Sequence, residues 1–598
     1  FYELSGHRVG ECTLTLTSTD GSNVTKTYTV RIEDQDHTPL ENGYADGTLV
    51  LNEEWFGHTN GGMNYITPDG EMMYQVYERE NPGMSFGATS QYAAIWADKL
   101  IAISKQAVDA GDPLPGGGRV VVADAKTLKR IGSIDDLIFG DETRSADGRA
   151  VVGATPGKVY VSTNNGIYIV DIDEVKVIGK ITCFDESGSS GTDLYNGQIG
   201  DMVHAGKYVL GIKQNTGAFA IDINTDQVVR LYPIATVQGI TQTADGNDWI
   251  ASVVDGCARF TCIDPQTLDE RDDMSVTFPS TVAYPTCSWG AWRNTPFVGS
   301  YSRNTIWFSV GGGIAGGSSK DKYYGWEVGS DPTLLKPVFD MAEADLTGSN
   351  ARVKQKTYGT LRYDDRSGEL IVMTVDDSSS GHYRYNWIHF INPTTGEILR
   401  TIALRPYYWF QAFAIFPDKF DAAINVDDIT MDVSDGDMIL DLTECVTDAD
   451  NIDANIKLSL LEPPAVMAED NATESHASVA LDGHNLTISP ISAGTHYFTL
   501  AAESNGRTIS KTVTVNIGDI TTGIEAITGN GNSIACDGQR MFINGFNGHK
   551  FDIFDVAGRN ITSFDVDSDK YVFDFGSHNG IYIVTSDTDI STKVIIRK

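Results

Sequence analysis

The sequence is poor in cysteine, which argues against a disulfide-rich scaffold. Seven cysteines are spread over 598 residues, and their spacing gives no disulfide framework. Cys257 and Cys262 lie five residues apart in one strand-like run, so their side chains point to opposite faces and do not easily bridge. Packed cores must therefore hold the chain together, and cysteine usage leaves the redox compartment open.

Basic residues are scarce relative to acidic ones. Lys and Arg number 44 against 81 Asp and Glu, which gives a formal net charge of −37. A field of that sign repels nucleic acid and anionic lipid, so we expect neither as a partner. No apolar run approaches the roughly 18 residues that a membrane span needs, so we expect no membrane-spanning segment. The chain begins at Phe1 without a signal-like segment, and we expect that a leader or tether has been removed.

Convincing helical periodicity is also missing. The chain instead has 60 glycines, 25 tyrosines and 24 phenylalanines, together with many short alternating runs. Glycine-rich turns and aromatic strands predict an all-β protein. The length is sufficient for several domains, each with its own core.

A unit of about 50 residues recurs between residues 39 and 418. Each copy is an apolar run that ends in an Asp- or Asn-led turn and continues into a second short strand, as in GRVVVADAKTLKRIGSI, GIYIVDIDEVKVIGKI and GAFAIDINTDQVVRLY. Seven copies are recognisable, and the clearest, residues 198–234, reads as four short strands. Seven repeats of four strands predict a seven-bladed β-propeller over residues 39–418.

The first copy lacks its innermost strand, because TLVLNEE already reads as the second strand. FQAFAIFPD, residues 410–418, follows the seventh copy and is available to fill that place. We expect this strand to close the ring, since closure removes exposed sheet edges. The alternative is two unrelated β-sandwiches of about 190 residues each.

The propeller region carries a family resemblance. The stretch LVLNEEWFGHTNGGMNYITPDG, residues 49–70, with YNGQIGDM and the DPQTL and NPTTGEIL turns, resembles the YncE-like propellers of Bacteroidetes surface proteins. One branch of that group captures cobalamin at the cell surface ahead of an outer-membrane transporter. The resemblance implies the fold strongly and the ligand weakly, because the turn motifs are structural.

Residues 419–518 have the pattern of an immunoglobulin-like, cadherin-like sandwich. The stretch VTDADNID is similar to the calcium-binding turns of cadherin-like bacterial modules. That likeness implies Ca²⁺ as a candidate cofactor, with Asp448, Asp450 and Asp453 as oxygen ligands. EF-hand spacing is absent, and a solvated acidic loop is the alternative.

The two ends of the chain also resemble known modules. In residues 519–598, IFDVAGR, GIYIV and KVIIRK resemble the C-terminal sorting-type β-domain of exported Bacteroidetes proteins, which implies a location at the outer-membrane surface or outside the cell. Residues 1–38 match the hairpin at 494–517 and are predicted to be the terminal hairpin of a truncated immunoglobulin-like module. Because an isolated hairpin is marginal in water, we expect it to pack on a neighbouring domain.

Insertions are concentrated on one face of the predicted propeller. The loops between the second and third strands are long in copies one, two, six and seven, where they read EEWFGHTNGG, ISKQAVDAGDPLPGGG, VGGGIAGGSSKDKYYG and VDDSSSGHYRYN. The same loops are short in the other three copies. Insertions gathered on one face of a repeat protein indicate its binding face.

Amide and aromatic side chains stand at the entrances of the innermost strands, on that same face. Amides supply paired donors and acceptors and aromatic rings supply stacking area, which suits an uncharged, polyhydroxylated or amide-rich ligand. Bulky residues that only fill the channel are the alternative. The candidate ligand-binding residues are Gln91, Tyr92, Asn196, Gln198, Gln238, Trp289, Trp292, Tyr358, Trp409 and Gln411.

Two histidines complete the candidate ligand-binding set. His58 and His382 fall in the long loops of copies one and seven, which ring closure makes neighbours. With Trp55, Tyr383 and Tyr385 nearby, they are candidates to ligate a metal, including the cobalt of a corrinoid. Simple exposure on the loops is the alternative.

Catalytic motifs are missing from the sequence. It has no His-Glu-x-x-His, no Gly-x-Ser-x-Gly, no phosphate-binding glycine loop and no Cys-x-x-Cys. Glu53, Glu54 and Asp201 are candidates for an acidic pair at the channel mouth.

The first hypothesis is therefore a non-catalytic surface protein that captures a small or oligomeric nutrient, a glycan or a cobalamin-like molecule, with an outer-membrane transporter as a candidate partner. The alternatives are a propeller lyase or glycoside hydrolase, and an adhesion or scaffold protein.

Overall fold

The computed structural model describes residues 9–33, 35, 40–112, 116–182, 197–287, 296–310, 320–346, 354–462, 475–518, 532–536, 540–576, 580–588 and 591–596. Two compact units are present. The first contains residues 1–425 together with the segments 443–459 and 501–510, and the second contains residues 426–442, 460–500 and 511–598.

The first unit contains seven four-stranded antiparallel sheets in its described residues, which confirms the propeller predicted from the repeats. A hairpin precedes them, with strands β1 (Gly10–Thr17) and β2 (Thr25–Ile32). Blade 1 takes β3 (Thr48–Asn52), β4 (Gly62–Ile66) and β5 (Met72–Met73), followed by the short helix α1 (Val76–Glu80). Blade 2 is β6 (Ala88–Trp96), β7 (Lys99–Gln106), β8 (Val120–Asp124) and β9 (Arg130–Ile134).

Blades 3 to 5 follow in chain order. Blade 3 is β10 (Gly148–Thr155), β11 (Lys158–Thr163), β12 (Gly166–Asp171) and β13 (Lys176–Ile181). Blade 4 is β14 (Ile199–Ala205), β15 (Tyr208–Lys213), β16 (Gly217–Asp222) and β17 (Gln227–Tyr232). Blade 5 is β18 (Val237–Gln242), β19 (Asp248–Val254), β20 (Cys257–Ile263) and β21 (Val276–Thr277).

Blades 6 and 7 complete the repeats. Blade 6 is β22 (Phe297–Val298), β23 (Thr305–Ser309), β24 (Lys322–Glu327) and β25 (Phe339–Asp340), with a 3₁₀ turn at Pro332–Leu334. Blade 7 is β26 (Gln355–Asp364), β27 (Glu369–Asp376), β28 (Asn386–Ile391) and β29 (Ile398–Ala403), with a 3₁₀ turn at Ser379–Gly381. Strand β30 (Gln411–Ile415) comes next.

Strand β30 closes the ring, as the missing strand of the first copy predicted. It pairs antiparallel with β3, with Leu49 opposite Ile415 and Val50 opposite Ala414. Its Ala414 is buried in one hydrophobic layer with Val50 of blade 1 and Ile371 and Ile388 of blade 7. The C-terminal strand of the propeller is therefore the innermost strand of its first blade.

Apolar layers between neighbouring blades form the core of the ring. The layer between blades 1 and 2 holds Leu51, Tyr65, Leu100 and Phe413, and equivalent layers lie between the following blades. The second and third strands of most blades are buried on both faces, which explains their continuous apolar runs.

The recurring Asp and Asn residues form side-chain-capped turns at the outer edge of the blades. The Oδ1 atom of Asp124 accepts the backbone N–H groups of Lys126 (3.1 Å) and Thr127 (2.7 Å). Asp171, Asp222, Asp264 and Asn392 make the same pair of bonds two and three residues downstream. These residues are therefore structural markers of the repeat.

The β1–β2 hairpin is formed, and its described residues are largely exposed. Its register runs from Gly10 opposite Ile32 to Thr17 opposite Thr25, and neither strand contains a buried residue. The expected burial of this hairpin is therefore wrong for the described residues. Just beyond it, Gln35 is anchored to the edge of blade 1, where its side chain donates to the Met72 carbonyl (3.0 Å) and accepts the Tyr74 N–H (3.3 Å).

Residues beyond the ring form additional small sheets. One pairs β31 (Ala423–Ile424) with β34 (Val446–Thr447), one has the order β32 (Ile429–Asp432), β39 (Arg507–Gly518), β38 (Gly494–Ser504), β35 (Lys457–Leu461), and one the order β33 (Met438–Asp441), β37 (Asn485–Pro490), β36 (Ala477–Asp482). A 3₁₀ turn spans Asp453–Asn455.

Two further sheets lie nearest the C-terminus. Their strand orders are β40 (Ser533–Cys536), β41 (Arg540–Asn544), β44 (Lys570–Asp574), and β43 (Asn560–Asp565), β42 (Lys550–Asp555), β45 (Gly580–Ser586), β46 (Ser591–Ile596). Across the described residues, no helix has both the length and the apolar character that crossing a membrane requires.

Asn455 fastens the segment 443–459 to the propeller within the first unit. Its amide and that of Gln242 bond each other reciprocally, at 2.8 and 3.1 Å, and its Oδ1 also accepts the Gly206 N–H (3.0 Å). Asn455 and Gln242 are both buried. A buried amide pair of this kind stabilises the folded state only while both side chains are present, because removal of one leaves the other without a hydrogen-bond partner.

We expect Asn455→Ala to lower the free energy of unfolding by about 2–4 kcal/mol, because Gln242 and the Gly206 N–H lose buried partners. Urea unfolding of the full chain measures the loss. Asn485→Ala, at an exposed position of β37, is the control. Equal stability of the two variants would contradict the fastening role.

Asp248 is a carboxylic acid in the interior of blade 5. It is 0 % exposed at the start of β19, and neither carboxyl oxygen has a hydrogen-bond partner. Burial, with a smaller contribution from the Asp245 charge, raises the pKa of Asp248 well above its usual value. Burial therefore favours the uncharged acid over the carboxylate in the folded protein, and folding takes up a proton at pH values where the unfolded chain is ionised.

We expect Asp248→Asn to stabilise the protein at neutral pH. Below about pH 4 the acid is protonated in both states and the pH-dependent penalty vanishes, whereas above it the unfolded state ionises and that penalty grows by at most about 1.4 kcal/mol per pH unit. The gain from Asn should therefore be larger at pH 8 than at pH 4.5 in urea unfolding. The exposed Asp255→Asn in the same blade is the control. A gain independent of pH would contradict the assignment.

Candidate functional site

The loops between the second and third strands have the predicted lengths. They span residues 53–61 in blade 1, 107–119 in blade 2 and 377–385 in blade 7, but only 164–165, 214–216 and 255–256 in blades 3, 4 and 5. Residues 113–115 of blade 2 and 311–319 of blade 6 lie outside the described residues. One face of the ring therefore carries the long loops of neighbouring blades 7, 1 and 2.

Aromatic side chains from blades 1 and 7 meet on this face. The ring of Trp55 lies 4.5 Å from that of His58, 5.1 Å from that of His382 and 5.1 Å from that of Trp409. The indole Nε1 of Trp409 donates to the His382 carbonyl (2.9 Å), and Tyr407 packs against the Trp409 ring (5.5 Å). We call these five residues the aromatic cluster.

The aromatic cluster is accessible from solvent on one side. His58 and His382 are exposed, Trp55 and Tyr407 are half-buried, and the adjacent Phe56 is 53 % exposed. Because Trp409 is buried beneath them and hydrogen-bonded, the cluster has a fixed floor and an exposed rim. Such a surface can stack against a sugar ring or another planar face.

The two histidines are brought together around Trp55, as ring closure predicts. Each packs on the indole, and Tyr383 and Tyr385 instead pack on Phe410 (5.4 Å) and Trp387 (6.2 Å). In the part of the chain that the structure describes, no group of three or more His, Cys, Asp or Glu residues is placed to hold a metal ion. The rings of His58 and His382 both pack against the indole of Trp55.

Glu53 connects three blades at the channel mouth. It is 2 % exposed, and its Oε2 accepts hydrogen bonds from the hydroxyl of Tyr358 in blade 7 and from Nε2 of Gln91 in blade 2 (3.2 Å). The backbone N–H of Glu53 donates to the carbonyl of Phe410 (2.9 Å). Two of the predicted ligand residues, Gln91 and Tyr358, thus have partners within the fold.

The other described amides are also engaged. Gln198 is buried and accepts a hydrogen bond from Nη1 of Arg149 (2.8 Å), which joins blades 4 and 3. Gln238 accepts the Cys287 N–H (3.0 Å), and the buried Gln411 donates to the Tyr408 carbonyl (3.0 Å). Asn196, Trp289 and Trp292 lie outside the described residues.

The two remaining carboxylates proposed for an acidic pair have different surroundings. Glu54 is buried, with a left-handed backbone (φ 61°), and its Oε1 accepts from the Asn52 amide (3.3 Å). Asp201 is half-buried, and its charge raises the pKa of both Arg149 and Arg362, although burial lowers them more. Asp201 therefore acts as a counter-charge to buried guanidiniums.

Tyr92 faces a different part of the channel. Its ring packs on Phe413 (4.4 Å), and burial raises the pKa of its hydroxyl to about 12. Both residues line a cavity of about 250 Å³ together with the turns after the innermost strands and residues of the segments 443–459 and 501–510. Tyr92 thus lies toward the end of the channel opposite the long loops.

The three aspartates suggested as calcium ligands bond one another and the neighbouring backbone. The Asp453 carboxylate accepts the Asp448 N–H (3.1 Å), and the Asp448 carboxylate accepts the Asp450 N–H (3.1 Å). Asp450 Oδ2 accepts the backbone N–H groups of Lys419 (2.7 Å) and Phe420 (3.2 Å). The turn is thus internally hydrogen-bonded rather than an exposed acidic loop.

Sequence reasoning missed the cations of the channel. Arg149, Arg362 and Lys105 are buried or half-buried there, and burial lowers the pKa of each. The guanidinium of Arg362 lies over the Phe413 ring (4.4 Å) and its Nε donates to the Ala414 carbonyl (3.1 Å). The available signal was the position of basic residues near strand ends in a strongly acidic chain: Arg149 and Arg362 lie near the ends of the innermost strands β10 and β26, and Lys105 near the end of β7.

Comparison with solved structures gives distant similarity. A quinonprotein alcohol dehydrogenase-like protein from Bacteroides thetaiotaomicron shares 14% identity at a TM-score of 0.43, over 68% of this chain and 85% of that one. A protein from Lactobacillus plantarum shares 9% identity at 0.41, over 62% and 98%. The β-propeller domain of Cps50 (Swd1) from Myceliophteria thermophila shares 13% identity at 0.36, over 56% and 94%.

Comparison with curated proteins gives no match. A family model described as a domain of unknown function, DUF5074, matches residues 46–417, which is more than half of the chain and contains all seven blades. The chain therefore belongs to the DUF5074 family.

Proposed function

We propose that this protein captures an uncharged, hydroxyl- or amide-rich nutrient, a glycan or a cobalamin-like molecule, at the loop-rich face of its propeller. The observation that carries the proposal is the aromatic cluster, whose exposed rim stands on a buried, hydrogen-bonded floor between blades 7 and 1. A rigid aromatic surface contributes contact area at low entropic cost.

The surroundings of the cluster suit a neutral ligand. Lys356 lies over the Tyr383 ring (4.9 Å), and Arg384 lies over those of Tyr385 (5.0 Å) and Tyr407 (5.4 Å), so the cations near the cluster are engaged with aromatic faces. The chain carries a formal charge of −37, which disfavours anionic ligands. Recognition through stacking and neutral hydrogen bonds needs neither a free cation on the protein nor a charge on the ligand.

The flanking regions support presentation outside the cell. We assign residues 419–518 to an immunoglobulin-like module, residues 519–598 to a sorting-type β-domain and residues 1–38 to the end of a further immunoglobulin-like module, because of the motifs that they share with exported Bacteroidetes proteins. On this proposal the propeller is held at the outer-membrane surface, or released from it, and delivers its ligand to an outer-membrane transporter.

The test is isothermal titration of the full chain with three uncharged probes: maltoheptaose, chitopentaose and cyanocobalamin. We expect one of these probes to bind, and Trp55→Ala to weaken it about tenfold or more, since the stacking surface is lost. Phe139→Ala removes an exposed aromatic outside the cluster and should leave the affinity unchanged.

Other outcomes separate the alternatives. Binding that survives Trp55→Ala would move the site away from the cluster. In a separate titration with aquacobalamin, a shift in its visible spectrum that His58→Ala abolishes would assign a histidine ligand to the cobalt. Failure of all three probes would contradict nutrient capture of these classes and favour a protein partner.

A further inference from the structure

The cavity at the end of the channel away from the long loops has an unusual concentration of acid. Asp418 comes three residues after β30, and Asp450 belongs to the segment 443–459. Both line the 250 Å³ cavity, together with Asp364 at the end of β26 and Asp365 directly after it. All of these residues belong to the first unit.

Two carboxylate oxygens in this wall are buried without a hydrogen-bond partner. Asp418, whose side chain is 9 % exposed, uses Oδ1 to accept from Arg507 (2.6 Å) and Asn505 (3.3 Å), and its Oδ2 has none. Asp450 uses Oδ2 for the two backbone N–H groups of Lys419 and Phe420, while its Oδ1 has no donor and its carboxyl faces that of Asp448. Buried polar atoms are ordinarily satisfied, so each such oxygen requires an explanation.

Neighbouring cations do not balance this charge. Four carboxylates line the cavity against two guanidiniums, Arg362 and Arg366, and Arg366 is engaged by Asp364 (2.8 Å). Arg507 is shared among Asp418 (2.6 Å), Asp421 (3.3 Å) and Asp98 (3.5 Å).

The carboxylates also repel one another. The carboxyl of Asp418 lies close enough to those of Asp450 and Asp448 for their charges to oppose its own. In stable proteins, buried charges are paired with an opposite charge or coordinate a metal ion.

We infer that this cavity binds a divalent cation through the carboxylates of Asp418 and Asp450. The ligands are all oxygens, which are the donors that Ca²⁺ and Mg²⁺ prefer. Since the described residues gather no group of three or more ligand side chains, the rest of the coordination sphere consists of water. A cavity of 250 Å³ has room for several waters at about 30 Å³ each.

The binding of this ion would fasten the propeller to the segments 443–459 and 501–510. Asp418 follows the strand that closes the ring, and Asp450 belongs to the first segment. Asn505 and Arg507, which bond Asp418, belong to the second. The site is separate from the aromatic cluster, so it does not depend on the proposed capture function.

The test is isothermal titration of the chelator-treated full chain with CaCl₂ and MgCl₂ at constant ionic strength. We expect about one ion per chain from at least one of the two salts, and binding about tenfold or more weaker in Asp450→Asn, since one of two charged ligands is lost. The amide oxygen of Asn can still accept the Lys419 and Phe420 N–H groups, so the fold is retained. Asp272→Asn, at a side chain that is 89% exposed, is the control.

A second readout separates ion binding from loss of structure. Without divalent ions, Asp450→Asn should melt at or above the temperature of the parent, because a repelling charge is removed. With CaCl₂ or MgCl₂ only the parent and Asp272→Asn should gain stability. The inference would be overturned if neither ion bound or if Asp450→Asn bound the ions as tightly as the parent. It would also be overturned if ethanolamine, an organic cation titrated in the same way, bound and the metal ions did not.

Discussion

The pairing of β30 with β3 is the interaction on which the rest of the propeller depends. It joins residues more than 360 positions apart, with Leu49 opposite Ile415. Arg366, which follows β26 of blade 7, strengthens the contact between blades 7 and 1. It donates to the Gly47 carbonyl (3.0 Å) and the Thr48 hydroxyl (2.8 Å) at the start of β3. Without this pairing, β3 would have an unpaired edge, and the apolar layer between blades 1 and 7 would lose Ala414.

Closure also creates both candidate sites. It sets the loop with Trp55 and His58 beside the one with His382, which assembles the aromatic cluster. At the opposite end of the channel, the chain leaving β30 places Asp418 against Asp450. The long-range contact that completes the core is thus the same one that positions the functional side chains.

Much of the fold was predictable because its signals are local. The turns led by Asp124 and Asp222 repeat a short hydrogen-bonding pattern, and the missing first strand had one obvious substitute. The hairpin at residues 10–32 was also predictable as a hairpin, but its burial was not, because burial depends on a partner surface that local alternation does not encode.

The site was harder to predict because its partners are distant in sequence. Gln198 and Tyr358 stand at the expected strand entrances, but Arg149 and Glu53, which bond them, come from other blades. Asp418 gave no signal beyond a single acidic residue after an apolar strand.

Native-state hydrogen exchange of the full chain over increasing denaturant tests the closed ring most directly. The account predicts that the amides of β3 and β30 lose protection at the same denaturant concentration as those of β15 and β16, because every blade shares one cooperative ring. Earlier exchange of β3 and β30, with the remaining blades still protected, would contradict it.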